Sequence, residues 1–182
     1  MVFWNEIDLD AIEFLAHVKD KTKYVYDGRS LRFQVPRGLC EWGLNSYENK
    51  SFTVSFSTPE FIDWWRSLEV HLCHKEPFNS NLKSATEIRF KIDNATYIFD
   101  ENSKQVMPDM KEGLFRGQEL SCIVEIESNY FFNGTWGLTC RANQVKMYEV
   151  SGRDEEGDRS ERDRNEVSGG FQKGVCAFIH EQ

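Results

Sequence analysis

The sequence predicts a mainly β protein with one or two helices and a flexible C-terminal tail. Several segments alternate apolar and polar residues, which is typical of strands with one buried face. A different segment repeats apolar residues at helical spacing, and the composition changes abruptly at Ser151. The 182 residues fit one domain, residues 1–150, followed by a tail, residues 151–182.

The N-terminal segment predicts a first helix over residues 8–19. Asp10 is a suitable N-cap with Glu13 three residues later, and Phe14, Leu15 and Val18 follow at helical spacing.

Two strands and a second helix are predicted next. Apolar and polar residues alternate over 31–35 until Pro36 interrupts them, and again over 51–57, where the phenylalanines share one face with a valine. Pro59 fits the first position of a helix. The apolar stripe of that helix predicts packing against the sheet, and it consists of Phe61, Trp65, Leu68 and Leu72.

The second half of the domain predicts strands only. Residues 88–92 and 97–99 favour a hairpin, and residues 120–127 form a long alternating segment. Asn133-Gly134 is a turn signal before the last strand, which ends near Val150. The alternation changes phase between Ala142 and Val145, which predicts a β-bulge there.

Residues 151–170 hold almost no aliphatic side chains, so they cannot bury enough apolar surface to fold. The chain becomes apolar again over 175–180. That end is either a peptide able to dock on another surface or a loosely packed terminal strand.

Three features of the sequence bear on where the protein is located. No apolar run approaches the roughly 20 residues that span a bilayer, the first residues do not resemble a secretory signal, and five scattered cysteines suit reduced thiols. We therefore expect an intracellular protein.

The net charge of −8 disfavours a duplex-DNA binder that works by general phosphate neutralisation, so a nucleic-acid site would need a local basic face.

Nothing in the sequence indicates catalysis or a cofactor. Phosphate-binding loops, dinucleotide fingerprints, serine elbows and metalloprotease motifs are absent. His71, Cys73 and His74 could ligate a metal, but no second ligand cluster completes a tetrahedral site. We expect a protein that is not an enzyme and binds no metal.

Bases interleaved with aromatic residues on the predicted strands are the remaining signal. Such mixtures suit single-stranded nucleic acid, whose bases stack on aromatic rings while Lys and Arg contact phosphates. The alternative is that the aromatic rings belong to the core and that the charged side chains lie on the solvent-exposed face of a sheet. The candidate binding residues are Arg32, Arg37, Trp42, Arg89, Lys91, Tyr97, Arg116, Tyr130, Trp136, Arg141 and Lys146.

The order of several short motifs resembles the single-stranded-DNA-binding proteins of large DNA viruses and some phages. Three groups of motifs, covering roughly residues 30–150, carry the resemblance. They are Phe33-Gln34-Val35-Pro36 with Trp42-Gly43-Leu44, the strand 50–56 leading directly into the helix 61–72, and Gly117-Gln118-Glu119-Leu120 with Trp136-Gly137 and a last strand, 142–150.

The resemblance implies an OB-fold, a small β-barrel, that binds single-stranded DNA without sequence preference in replication, recombination or repair. It also implies an acidic tail that competes with DNA and recruits replication proteins, and a place at the site of viral DNA replication in the host cell. A homo-oligomer is compatible with it. This tail departs from the pattern, because it carries four arginines between residues 153 and 164 and extends past them to Phe178.

Two further expectations concern tryptophans. Trp136 is the strongest candidate for base stacking, because it lies beside the Asn133-Gly134 turn, although it could equally cap the barrel core. The competing function is a non-catalytic intracellular protein-interaction module of β-barrel or β-sandwich type, with Trp64 or exposed sheet aromatics as its anchor.

Overall fold

One α-helix and a set of mostly short strands make up the regular structure in the computed structural model, which describes residues 1–15, 21–46, 50–73, 75–148 and 174–179. Two 3-10 turns, Trp4–Glu6 and Leu9–Ala11, come first, and the helix α1 spans Pro59–Leu72. The strands are β1 (Glu13–Phe14), β2 (Tyr24–Tyr26), β3 (Arg29–Ser30), β4 (Arg32–Gln34), β5 (Gly38–Cys40), β6 (Ser51–Ser55), β7 (Phe78–Asn79), β8 (Glu87–Lys91), β9 (Tyr97–Phe99), β10 (Gln105–Val106), β11 (Gln118–Phe132) and β12 (Thr135–Tyr148).

Five of these strands close into a barrel. β5 pairs with β6 and β11, β6 with β8, β8 with β12, and β12 with β11, which completes the ring. Counted along the chain, the ring order is first, second, third, fifth, fourth, and only the third and fifth strands run parallel. A five-stranded barrel of this kind is the OB-fold that the sequence resemblance implied, so the predicted fold class is confirmed.

The helix α1 connects the second and third barrel strands and packs on the core as predicted. Pro59 occupies its first turn, where a missing N–H costs nothing. Its apolar stripe is buried, and the Phe61 ring lies 4.7 Å from Phe56 while Trp65 lies 5.7 Å from Phe90, centroid to centroid. A fully buried tryptophan such as Trp65 contributes about 3–5 kcal/mol relative to alanine.

The β11–β12 hairpin is the longest pairing in the molecule. Its turn is Asn133-Gly134, with φ angles of 49° and 77° that suit a tight hairpin connection. Ile123 pairs with Gln144 and Val124 with Ala142, so Asn143 is the extra residue of a bulge. Both the turn and the bulge are where the sequence placed them.

The predicted helix over residues 8–19 is wrong. Two 3-10 turns and β1 occupy residues 4–14, and the Asp8 side chain, rather than Asp10, accepts the capping hydrogen bond. The buried residues here are Ile7 and Ile12, five apart, whereas Phe14 is 46% exposed. That spacing does not place the buried side chains on one helical face. Residues 16–20 lie outside the described residues.

The predicted hairpin between β8 and β9 is also wrong. Both strands pair in parallel with β12. Lys91 of β8 pairs with Arg141, and Tyr97 of β9 pairs with Gln144. They therefore follow one another along the same edge of β12 instead of pairing with each other.

Most of the predicted tail, and the end of the last strand near Val150, lie outside the described residues. Residues 174–179 are described, and they contact β4, β9 and β12. Among the helices that the structure describes, none is long and apolar enough to cross a membrane.

Candidate nucleic-acid interface

The second and third barrel strands, β6 and β8, present an outer face. OB-folds bind oligonucleotides on this face, helped by the loops between strands 1 and 2 and between strands 4 and 5. In this chain the described residues of the first of these loops are 41–46 and 50, and the second loop is the Asn133-Gly134 turn. The outer side chains of β6 and β8 and those two loops are therefore where a nucleic-acid site is expected.

Strand alternation separates a core row from an outer row on this face. Phe52 pairs with Phe90 in the core, and both are buried. On the outside, Ser51 pairs with Lys91 and Thr53 with Arg89, and all four side chains are half-buried. The outer row thus sets cations beside hydroxyl groups, because alternate residues of a strand point to opposite faces.

A third pair of this row, Ser55 and Glu87, places one carboxyl group two residues from Arg89. Neither Arg89 nor Lys91 forms an ion pair with any residue that the structure describes. Lys91 Nζ instead lies 5.4 Å from the centroid of the Tyr130 ring. Burial lowers the pKa of nearby Lys83, and the positive charge of Arg89 lowers it further. The outer row thus holds two cations and one carboxyl group, which is a net positive charge despite the acidic total charge of the chain.

Aromatic residues at the tip of the β11–β12 hairpin adjoin this row. Phe131 and Phe132 are 51% and 68% exposed. The Trp136 ring lies 5.0 Å from Phe131, and Lys75 Nζ lies 4.1 Å from the Trp136 centroid. Trp136 is half-buried against the core cluster, so it joins the tip to the barrel.

Trp42 is displayed on the other loop. It is 69% exposed, and its carbonyl oxygen accepts a hydrogen bond from Arg116 Nε at 3.3 Å. Arg116 is exposed as well. We call the outer row, the hairpin tip and this loop together the aromatic-basic surface. Its members are Trp42, Lys75, Arg89, Lys91, Arg116, Tyr130, Phe131, Phe132 and Trp136.

Three arginines of the predicted site form ion pairs with carboxylates outside this surface. Arg32 donates to Glu125 at 2.6 Å, and Arg37 lies 3.6 Å from Glu119 and over the Tyr148 ring. Arg141 forms ion pairs with Asp93, at 2.7 Å, and with Glu127. Burial alone would lower the pKa of Arg141, but these carboxylates raise it above its ordinary value.

Two other predicted residues are covered. Lys146 is only 4% exposed, and its ammonium donates to Ser103 Oγ at 2.9 Å. Tyr97 lies beneath Gly174 of the C-terminal segment. Trp64, the suggested anchor for a protein partner, is half-buried against Trp4 and Phe33.

The sequence analysis missed Lys75, Phe131 and Phe132. Consecutive residues of a strand point to opposite faces, so one of the two phenylalanines must face away from the core, and that was a usable signal. Lys75 carries no such signal, because only the fold brings it to Trp136.

The histidines and cysteines that the structure describes do not assemble into a metal site. No group of three or more His, Cys, Asp or Glu side chains forms a metal site among the described residues, which exclude His74. Burial raises the pKa of the Cys73 thiol, which is the reverse of the change that activates a nucleophile.

Comparison with known proteins finds similarity only at the level of structure. No family model and no curated protein matches the sequence. A C-terminally truncated single-stranded-DNA-binding protein from bacteriophage Enc34 is similar with a TM-score of 0.50 and 10% identity, over 81% of this chain and 98% of that chain.

Two more solved structures are similar to a lesser degree. The Enc34 protein in complex with ssDNA has a TM-score of 0.49 and 8% identity over 78% of this chain and 97% of that one. The gp2.5 single-stranded-DNA-binding protein of bacteriophage T7 has a TM-score of 0.42 and 12% identity, over 71% of this chain and 98% of that one. The resemblance to phage single-stranded-DNA-binding proteins is thus confirmed for the fold, which this chain shares with the truncated Enc34 protein.

Proposed function

We propose that this protein binds single-stranded DNA without sequence preference, through the aromatic-basic surface. The observation that carries the proposal is the placement of Arg89 and Lys91 on the outer face of β6 and β8, with Lys91 over the Tyr130 ring. These cations have no carboxylate partner among the described residues, whereas Arg32 and Arg141 do. The phosphates of a DNA backbone can therefore neutralise these cations.

Each part of the surface has a role in such binding. Exposed rings at the hairpin tip and at Trp42 offer faces on which unpaired bases stack, worth about 1–3 kcal/mol per base. Arg89, Lys91 and Lys75 contact phosphates. Stacking accepts any base, so sequence preference is weak, and no step requires catalysis.

The biological setting is part of the proposal. The truncated Enc34 protein, whose name states single-stranded-DNA binding and whose fold this chain shares, comes from a bacteriophage. We propose a role in replication, recombination or repair at the site of viral DNA replication, with replication proteins recruited through the C-terminal tail.

The test is fluorescence anisotropy of labelled oligo-dT with the purified protein at about 50 and 200 mM salt, and duplex DNA as the control. We expect tight binding to the single strand that weakens with salt. Lys91→Gln should reduce the salt slope by about 0.7, the value for one phosphate contact on a single strand.

Lys111→Gln is the matched control, because Lys111 is exposed and already paired with Asp109. It should leave both affinity and slope unchanged. Absence of binding at low salt by the folded protein would overturn the proposal and favour the protein-interaction module.

A further inference from the structure

The C-terminal residues 174–179 cross the outside of the barrel over a row of four neighbouring strands. Gln34 of β4 pairs with Ile123 of β11, Ile123 with Gln144 of β12, and Gln144 with Tyr97 of β9. The segment contacts Tyr97, Gln144 and Gln34 in turn. It therefore runs across the strands, and no backbone hydrogen bond joins it to the described part of the barrel.

Glutamine side chains hold the segment by its backbone. Gln144 Nε2 donates to the Val175 carbonyl at 3.0 Å, while its Oε1 accepts from the Ala177 N–H at 3.0 Å. Gln34 binds both backbone groups of Ile179, at 2.8 and 3.0 Å. One amide thus makes the pair of hydrogen bonds that a neighbouring β-strand residue would make.

At two positions of the segment, the barrel surface restricts which side chain fits. A Cβ on Gly174 would lie 2.3 Å from Cδ1 of the Tyr97 ring, so only glycine fits there. Phe178 meets Phe99 edge to face, with ring centroids 6.3 Å apart. Val175, by contrast, is 80% exposed. Backbone hydrogen bonds with selected side-chain pockets are the usual basis of extended-peptide recognition.

Two apolar side chains lie with the glutamine amides in the barrel surface under the segment. Ile123 and Phe99 are each 1% exposed, yet neither belongs to the core cluster inside the barrel. Their burial comes from the outer face, in the row that the segment crosses. Without the segment, this face would expose the Phe99 ring, which Phe178 contacts, and the Gln34 and Gln144 amides, and we call this face the groove.

The groove is separate from the surface proposed for DNA. It centres on β11, which lies across the ring from β6 and β8. The 25 residues 149–173 separate the last described residue of β12, Tyr148, from Gly174. The segment is thus a peptide far along the chain from the last barrel strand, and side-chain amides rather than strand pairing hold its backbone, which suits a unit that opens locally.

We propose that this face is a peptide-binding site whose occupant is the segment 174–179, bound reversibly and independently of single-stranded DNA. The site takes an extended peptide with glycine at its first position and an aromatic residue four positions later. Its ligand class thus differs from that of the aromatic-basic surface.

The test uses the full chain with Gly174→Val, which removes its own segment from the groove, and a labelled synthetic peptide with the sequence of residues 173–180. Anisotropy should show binding to this variant under reducing conditions. The unmodified chain should bind at least tenfold more weakly, because its own segment competes at a high effective concentration. Phe178→Ala in the full chain serves as a second receptor.

Matched peptides and a groove variant complete the design. A peptide with Phe178→Ala should lose at least tenfold in affinity, whereas one with Val175→Ala should bind unchanged. Adding Gln144→Leu to the Gly174→Val chain should abolish binding. Saturating oligo-dT should change none of these affinities.

Failure of the peptide to bind either folded receptor would overturn the proposal, as would equal binding by all peptides or displacement of the peptide by oligo-dT. The peptide measurements without DNA do not depend on the function proposed above, so the two proposals can fail separately.

Discussion

Tyr130 and Gly137 face each other across the β11–β12 hairpin, and the Tyr130 ring covers the α-carbon of Gly137 so closely that a Cβ there would lie 2.7 Å from the ring's Cζ and Oη. The absence of a side chain at residue 137 therefore leaves room for the ring in this position. Lys91 Nζ lies over the same ring.

The first prediction concerns this contact. Gly137→Ala should turn the Tyr130 ring away and lower the affinity for oligo-dT about as much as Tyr130→Ala does, since both remove the same stacking face. The atoms displaced are at the end of a side chain, so we expect the free energy of unfolding to fall by less than about 1 kcal/mol. Anisotropy and urea unfolding measure the two quantities. Full affinity in the Gly137→Ala protein would show that the ring does not bind DNA.

The second prediction separates two aromatic residues of the hairpin tip. Phe132→Ser should lower affinity by about 1–3 kcal/mol, at least fivefold, with little loss of stability, because Phe132 is 68% exposed. Trp136→Ala should cost about 1–3 kcal/mol of stability as well, because Trp136 packs against the core cluster.

Phe14→Ser is the control for both, since Phe14 is also exposed but lies in β1, outside the aromatic-basic surface. If Trp136→Ala abolished the thermal transition altogether, its role in stacking would have to be given up.

The third prediction is a pH dependence of stability. Burial alone would raise the pKa of Glu125, but hydrogen bonds from Arg32 and Asn143 outweigh it and lower the pKa below 4.5. A carboxyl group whose pKa is lower in the folded protein stabilises it above its unfolded pKa. That contribution should be present at neutral pH and lost as the pH falls below about 4.5 through the folded pKa.

Glu125→Gln should therefore unfold more easily at pH 7 and lose less stability between pH 5 and pH 3 than the unmodified protein. Urea unfolding across that range is the measurement. Parallel curves for the two proteins would contradict the assignment to Glu125.

The fourth prediction concerns a buried carboxylate that joins α1 to the barrel. Glu69 is 5% exposed and accepts hydrogen bonds from Ser80 Oγ and from the Asn81 N–H, at 2.5 and 2.8 Å. Glu69→Ala leaves that buried N–H without its acceptor, so it should cost about 2–3 kcal/mol. Glu60→Ala, on the exposed first turn of the same helix, should cost no more than about 1 kcal/mol. Equal losses in thermal or urea unfolding would show that the buried contacts of Glu69 do not stabilise the fold.

Local patterns were sufficient for much of the fold. The alternation in β6, the stripe of α1, the Asn133-Gly134 turn and the bulge at Asn143 each depend on a few neighbouring residues, and each was predictable. The N-terminal helix was not, because burial there is decided by which distant residues Ile7 and Ile12 meet.

The candidate site was harder for the same reason. Arg89 and Arg141 are both half-buried arginines on barrel strands, and nothing in their sequence neighbourhoods distinguishes them. The register of the barrel does, because it brings Arg141 to Asp93 and Glu127 and leaves Arg89 beside hydroxyls. The predicted list therefore combined cations that are paired with carboxylates and cations that have no such partner among the described residues.

The long hairpin of β11 and β12 has a consequence for the order of folding. Its two strands are joined by a turn of two residues, so their pairing closes only a short loop and loses little chain entropy. The contact between β5 and β11, which closes the ring, joins residues far apart in the sequence, such as Leu39 and Glu119, which are eighty positions apart. We therefore expect the hairpin to form early, within microseconds as isolated hairpins do, and to act as the template on which the remaining strands assemble more slowly.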